Sequence, residues 1–372
     1  MLTSLLGIRL ILLVGPTVPL PASYDVMAAL SNVEVTNDAE QGDGFQITFT
    51  LSKDNPSNYS LIQSGLLDPP NRVIIGVLLG ASPEVLIDGI ITHHQFQPSD
   101  EPGRSTLTVT GKDVSIMLDL EEKNESYENQ PDFLIVLQLI GKYAQFGLIP
   151  DAKPTADVPI MLQRIPRQHE TDLKFIKRMA ERNGYVFYIE PVTFGVNTAF
   201  WGPENRLTLP QSALSMNLGH STNVKSLNFS QNALAPVSAE GSFFEPITKT
   251  SIPIPSLPSL RVPPLVPSPT PPMRRELMRN TANQNPAQAA TTAVAASTRA
   301  PDSVRGEGEL DSVRYGKVLR ARKTVGVRGA GFTYDGLYYV RRVTHLISRG
   351  QYNQRFTITR EGTGSITPVL IP

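Results

Sequence analysis

Apolar and polar residues alternate over much of this chain, and a period of two predicts strands. In "FQITFTLS" (45–52), Phe45, Ile47, Phe49 and Leu51 share one face, and Gln46, Thr48, Thr50 and Ser52 the other. "RVIIGVLLG" (72–80) is apolar on both faces, as a strand covered on two sides would be, with Gly76 placed for a bulge. "EVLIDGIITHHQF" (84–96) carries an Asp88-Gly89 break, and "RSTLTVTG" (104–111) alternates again. Residues 33–118 therefore read as short antiparallel strands forming a barrel or sandwich. Near the C-terminus, "DGLYYVRRVTHLIS" and "QYNQRFTITREG" flank a short turn and predict a hairpin. Arg341-Arg342 interrupts its alternation between Val340 and Val343, as a bulge would.

Two stretches switch to the helical period. "PDFLIVLQLIGKYAQFG" (131–147) reads as a helix with Pro131 in its first turn and Gly147 past its end. "ETDLKFIKRMAERNGYVFYIE" (170–190) holds a helix start, a helix stop and a strand. Thr171 is placed to cap, Asp172 sits at the positive end of the dipole and Arg182 at the negative end. Leu173, Ile176 and Ala180 form one stripe, widened by Phe175 and Met179; Lys174, Lys177, Arg178 and Glu181 face water. Asn183-Gly184 stops the helix. Tyr185, Phe187 and Ile189 then alternate with Val186, Tyr188 and Glu190, a strand between other elements. By itself this unit is an ordinary helix–strand corner of an α+β domain.

Between these lie weaker signals. "EEKNESYENQ" (121–130) reads as a polar loop, and 196–240 as a second strand-rich segment. Prolines over 252–272 force extended, polyproline-like chain that acts as a spacer. A short helix fits 273–279, and 280–303, rich in Ala, Thr, Asn and Gln, reads as mobile; 245–308 is then one long, poorly ordered connection. A proline-rich ligand for a partner domain is the sharper alternative. The apolar start "MLTSLLGIRLILLVGPTVPLPA" lacks a leading basic residue, contains Arg9 and is cut by Gly15-Pro16, so it reads as a strand and turn. A signal peptide is the minority reading, and the stretch is too short for a span of ~20 residues.

The chain has 372 residues, length for two or three domains, and no cysteine, which excludes disulfides, thiolate zinc sites and thiol nucleophiles. Its formal net charge is zero, which argues against a dedicated nucleic-acid binder. That zero hides a split. Residues 1–160 carry 8 Lys+Arg against 20 Asp+Glu, and residues 161–372 carry 26 against 14, a net of −12 and +12. Such blocks attract between domains or between neighbouring copies; two solvated faces that never meet are the plain alternative.

Searches for chemistry return nothing. "HETDL" begins like a zincin helix but has Leu173 where the second His belongs. His93 and His94 are adjacent on a strand and point to opposite faces. "GAGFTY" has Tyr334 where a dinucleotide loop needs its third glycine, and no P-loop or G-x-S-x-G turn occurs. Catalytic, cofactor-binding and metal residues are therefore expected to be none.

The 170–190 stretch resembles the signature of phage tail hub proteins. This late-control-protein-D family shares its fold with the tube-like part of the valine–glycine repeat protein (VgrG) of type VI secretion. The matching residues are Glu170, Thr171, Asp172, Leu173, Phe175, Ala180, Glu181, Arg182, Gly184 and Tyr185. "LTVTGKDVSIMLD", "AFWGPENRL" and the final hairpin are similar to other family segments. The resemblance implies an α+β, mainly β chain: two antiparallel β-barrel (tube-like) domains and a small helix-containing middle domain. Expected boundaries are 1–120 for the first barrel, 121–195 for the middle domain and 196–244 for strands rejoining the barrels. The insertion takes 245–308, and the second barrel 309–372.

It also implies a structural, non-enzymatic role as the baseplate hub of a contractile phage tail or injection system. A homotrimer would adapt a six-fold inner tube to a three-fold spike. Implied partners are itself, the inner tube protein, a separate spike protein and surrounding baseplate proteins, with no membrane and no specific nucleic acid. The spike is expected to be separate because the chain ends after the hairpin. Assembly is expected in the bacterial cytoplasm. The basic residues Arg314, Lys317, Arg320, Arg322, Lys323 and Arg328 are candidates for a channel lining or a subunit interface, with a solvated edge as the plain alternative. A receptor- or glycan-binding barrel and a hub with cell-wall hydrolase activity are the competing classes.

Overall fold

The computed structural model describes residues 8–52, 59–80, 82–101, 103–155, 165–245, 250–254, 261–278 and 286–366. Expectations for residues 1–7, 246–249, 255–260 and 279–285 lie outside these.

The first lobe comprises β1 (Ile8–Gly15), β2 (Leu20–Pro21), helix α1 (Tyr24–Ala29), β3 (Leu30–Asp38), β4 (Gly44–Leu51), a short α2 (Ser60–Gln63), β5 (Arg72–Leu79), β6 (Ser82–Gln97) and β7 (Ser105–Asp113). The alternation in β4 is realised: Phe45, Ile47, Phe49 and Leu51 are buried in a core with Val33, Val35, Val73, Ile75 and Leu107. The bulge falls at Ile75/Gly76 as read. The Asp88-Gly89 break does not occur, and β6 runs straight through it. Asp88 is buried against Arg72, at 2.8 and 2.6 Å. Gly89 is needed because a Cβ there would meet the Lys112 carbonyl oxygen at 2.4 Å and Phe45 Cε1 at 2.9 Å.

The middle region holds β8 (Glu122–Ser126), α3 (Asp132–Gly141), β9 (Leu148–Ala152), β10 (Arg167–Thr171), α4 (Asp172–Asn183), β11 (Val186–Thr193) and β12 (Val196–Gly202). β8 corrects the polar loop expected at 121–130. Its backbone pairs with β10 from Glu122↔Thr171 to Ser126↔Arg167, a partner that local polarity does not reveal. α3 stops at Gly141 and continues as a 3-10 turn to Gly147, where φ is 75°. α3, α4 and the β11-β12-β9 sheet enclose a second core around Ile135, Leu139, Phe175, Ile176 and Trp201.

The rest comprises β13 (Gln211–Ser215), β14 (Val224–Gln231), β15 (Val237–Glu245), β16 (Thr250–Ile254), β17 (Arg274–Leu277), α5 (Pro286–Arg299), β18 (Val304–Asp311), a short α6 (Ser312–Tyr315), β19 (Thr324–Arg328), β20 (Gly336–Ser348) and β21 (Gln351–Arg360). The final hairpin forms as read, with its register shift at Val340/Arg342. The helix expected at 273–279 is instead strand β17, held by parallel pairing to β15. The reading of 280–303 as mobile is corrected over Pro286–Arg299. Over Pro286–Arg299 the chain is helical, and Ala289, Ala293 and Ala295 are buried. Within the Pro-rich stretch, Leu265 and Val266 are buried.

The fold is α+β and mainly β. The two strand regions, expected as separate barrels, are joined into one 13-stranded sheet in the order β14-β18-β21-β20-β3-β4-β7-β6-β5-β1-β2, with β19 and β13 branching from β20. The joint is the antiparallel pairing of β3 with β20, from Arg342↔Asp38 to Ser348↔Asn32. Each half buries its own core, the second around Val325, Tyr338, Val340 and Ile358.

Candidate functional site

The residues that carried the resemblance lie at the two ends of α4 and along its buried face. Thr171 Oγ1 accepts from Lys174 N at 3.4 Å and donates to Asp119 at 2.5 Å, tying the cap to the end of the first lobe. Asp172 is buried and accepts from Lys123 (2.5 Å), Gln168 (2.7 Å) and Tyr143 (2.8 Å). Burial opposes its charge, but these donors outweigh burial and hold its carboxyl below the usual range. Glu170 binds Arg178 at 2.6 Å near the surface. Leu173, Phe175 and Ala180 lie in the core, Phe175 stacked on Tyr127 with ring centroids 5.7 Å apart. At the other end, Arg182 and Asn183 grip Asp132 in the first turn of α3. Gly184 takes φ 67°, and Tyr185 packs edge-on to Trp201, donating to the Pro154 carbonyl at 2.7 Å. These contacts fix α4 against α3, β10 and the first lobe.

The six candidate basic residues do not form one cluster. Arg314 and Lys317 are exposed and Lys323 is half-buried. Arg328 donates to Ser215 at 2.6 Å and shares a hollow with Arg314 and His220. Arg320 and Arg322 cross instead to the acidic first lobe of the same chain. Arg320 meets Glu84 and the Val85 carbonyl, each at 2.5 Å. Arg322 is buried on Asp43, donates to the Asp38 carbonyl at 2.7 Å and lies 4.4 Å from the Tyr188 ring centroid. Arg342 adds a pair to Asp38. Burial opposes the charge on Arg322, but Asp43 beside it holds its pKa above the usual value. Part of the −12/+12 split is therefore satisfied between lobes of one copy.

Sequence reading missed a second buried network, beside the β20 bulge. Glu204 meets Arg206 at 2.8 Å and Arg341 at 2.9 Å. Asp302 meets Arg261 at 3.0 Å, Arg341 at 3.3 Å and the Thr359 hydroxyl at 2.6 Å. Arg206 also pairs with Glu361, which accepts from Leu265 N at 3.2 Å. Burial opposes both charges, yet the arginines keep Glu204 low and Asp302 down at about 2. The network borders a cleft of about 580 Å³ lined also by Gly184, Tyr185 and Arg299. Its members come from five separate stretches, so no local motif could announce them. The one signal was Arg341, set off the alternation by the bulge. Among the described residues, no group of three or more His, Asp or Glu is placed to hold a metal ion.

No protein-family model matches the sequence, and no curated protein matches it. The folded chain does match solved structures. The tail protein of Neisseria meningitidis MC58 is 14% identical with TM-score 0.64, over 96% of this chain and 98% of that one. The 43 kDa tail protein of prophage MuSo2 from Shewanella oneidensis is 14% identical with TM-score 0.59, over 95% and 97%. The chain shares the fold of these tail proteins. An E. coli component of the type VI secretion system, itself similar to T4 tail proteins gp27 and gp5, extends the likeness: 14% identity, TM-score 0.56, over 92% and 77%. At these identities it is the fold that is shared. No helix among the described residues is long and apolar enough to cross a membrane.

Proposed function

We propose that this chain is a structural baseplate hub of a contractile phage tail or a phage-derived injection system. Three copies form a ring in which each of the two sheet lobes closes as a tube-like barrel, so that six lobes imitate six-fold symmetry. The ring seats the inner tube on one side and a spike on the other, inside a shell of baseplate proteins. Assembly takes place in the bacterial cytoplasm. The observation that carries this reading is the end-to-end likeness to a tail protein, over 96% of one chain and 98% of the other. The two-lobed sheet supports it, since the β3–β20 pairing joins two strand-rich halves in one chain.

The role is mechanical rather than catalytic. The carboxylates at the cleft beside the β20 bulge, Glu204 and Asp302, are held ionised by arginines. Neither is a proton donor of the kind glycoside hydrolysis requires. Purified full-length protein should be a trimer by light scattering and a ring by negative-stain microscopy, and it should co-purify with a tube protein. A monomer that binds no tube protein would overturn the assignment.

A further inference from the structure

Within the large sheet, β14-β18-β21-β20-β3-β4-β7-β6 is an unbroken run in which every neighbouring pair is antiparallel. Among the described residues, both ends of the run are open. β14 has β18 on one side and no strand on the other. β6 pairs with β5 only as far as Ile90, and from His93 to Gln97 it has β7 alone. An open edge leaves backbone N–H and C=O groups ready to receive another strand.

The two edges carry the same pattern. Along β14, Ser226, Asn228 and Ser230 are exposed, and Leu227 and Phe229 between them are half-buried. Along β6, His93, Gln95 and Gln97 are exposed, and His94 and Phe96 between them are half-buried. A ring supports each edge on its covered face: Phe229 is stacked on Tyr334 at 4.8 Å, and Phe96 meets Tyr59 edge-on at 4.9 Å. Strands of matched alternation pair without turning an apolar side chain into water. The edges do not pair within one copy. They lie at opposite ends of the run, about 34 Å apart along the sheet at ~4.8 Å per strand.

Strand parity sets the sense of a joint between copies. The run holds eight strands, all antiparallel to their neighbours, so β14 and β6 run in opposite directions. A second copy added head to tail therefore brings β6 antiparallel to β14, and the alternation continues across the joint without a break.

We infer that β14 of one copy pairs with the open edge of β6, residues 93–97, in the next. Leu227 and Phe229 then meet Phe96 on the covered face, and Asn228 lies beside Gln95 on the polar face. Lys225, exposed at the start of β14, comes toward exposed Asp100 beyond the end of β6. The contact is heterologous, one edge to a different edge, the type that closes into a ring when its rotation allows. This rests on the trimeric hub proposed above and names the surfaces that would hold it.

The chain has no cysteine, so Asn228→Cys with Gln95→Cys supplies the only thiols. Both positions are exposed. The assembled protein is treated with a short bismaleimide, whose reach tolerates a register shift of two residues. Covalent dimers and trimers should form, with peptides containing 228 and 95 joined between copies. In the unmodified protein, amide exchange over 225–230 and 92–97 should slow at least tenfold on assembly, because free edge amides gain partners. Assembled protein that gives no such crosslink, or one only within a chain, or whose exchange at both edges is unchanged, overturns the strand pairing and leaves the trimeric hub standing. A wild-type chain that is monomeric overturns both.

Discussion

His345 is fully buried on β20, opposite Val35 of β3 and Gln354 of β21, at the joint between the two lobes. Its Nδ1 lies 2.9 Å from the Tyr352 hydroxyl, and its Nε2 meets no polar partner among the described residues. Burial, aided by nearby Arg320, pushes its pKa from 6.5 down to about 3. The unfolded chain binds a proton below about 6.5 that the folded chain refuses. His345 therefore favours folding fully above that pH, and the advantage drains away as pH falls toward 3. The slope is about 1.4 kcal/mol per pH unit for one proton. His345→Gln should flatten the pH dependence of urea unfolding between pH 5 and 6, where carboxylates scarcely titrate. An unchanged slope would mean that this imidazole is not what senses acid. The sequence hints at the burial, because His345 falls in step with Val343 and Ile347. It could not show that the neighbours would leave a nitrogen unpaired, since those neighbours come from distant strands.

Among the elements, α4 was legible to its last residue and α5 was not read at all. α4 carries its own punctuation: Thr171 caps it, the stripe from Leu173 to Ala180 is buried, and Gly184 ends it in the left-handed region. α5 is a helix of Ala and Thr whose apolar groups are methyls, so its periodic signal is faint. Its identity comes from what it packs on, and part of that is Gly184. A Cβ at 184 would meet the Ala295 Cα at 2.9 Å. Gly184→Ala should therefore cost about 1–2 kcal/mol for the left-handed backbone and more for displacing α5. Gly195 is the control: its φ is 77° and a Cβ there meets nothing within 4 Å. Denaturant melts of the two alanine variants should differ, with Gly184→Ala the less stable. Equal losses would mean that α5 does not press on this corner. β8 was missed for the same reason as α5, its pairing with β10 being invisible in a run of Glu, Lys and Asn.

At the scale of the molecule, the charge split was plain in the sequence but its destination was not. Composition could not say whether opposite blocks would meet within a copy or between copies. The fold places Arg320, Arg322 and Arg342 on Glu84, Asp43 and Asp38 inside one chain, the last two of these arginine pairs around acids that are largely out of water. What remains in solvent is still sorted by sign: Asp25, Asp100 and Glu121 on the acidic part, Arg314, Lys317 and Arg349 on the basic part. Salt separates the two populations. Raising ionic strength from about 0.1 to 1 M shortens the screening length from about 10 to 3 Å, which weakens exposed attractions and scarcely reaches buried pairs. The dissociation constant of the proposed trimer should rise at least tenfold over that range, while the thermal midpoint of the dissociated chain moves by only a few degrees. If self-association is indifferent to salt, the exposed charges do not hold copies together. If the single chain instead melts early, the arginines at the lobe joint are wetter than their burial implies, and the rigid coupling of the lobes fails with them.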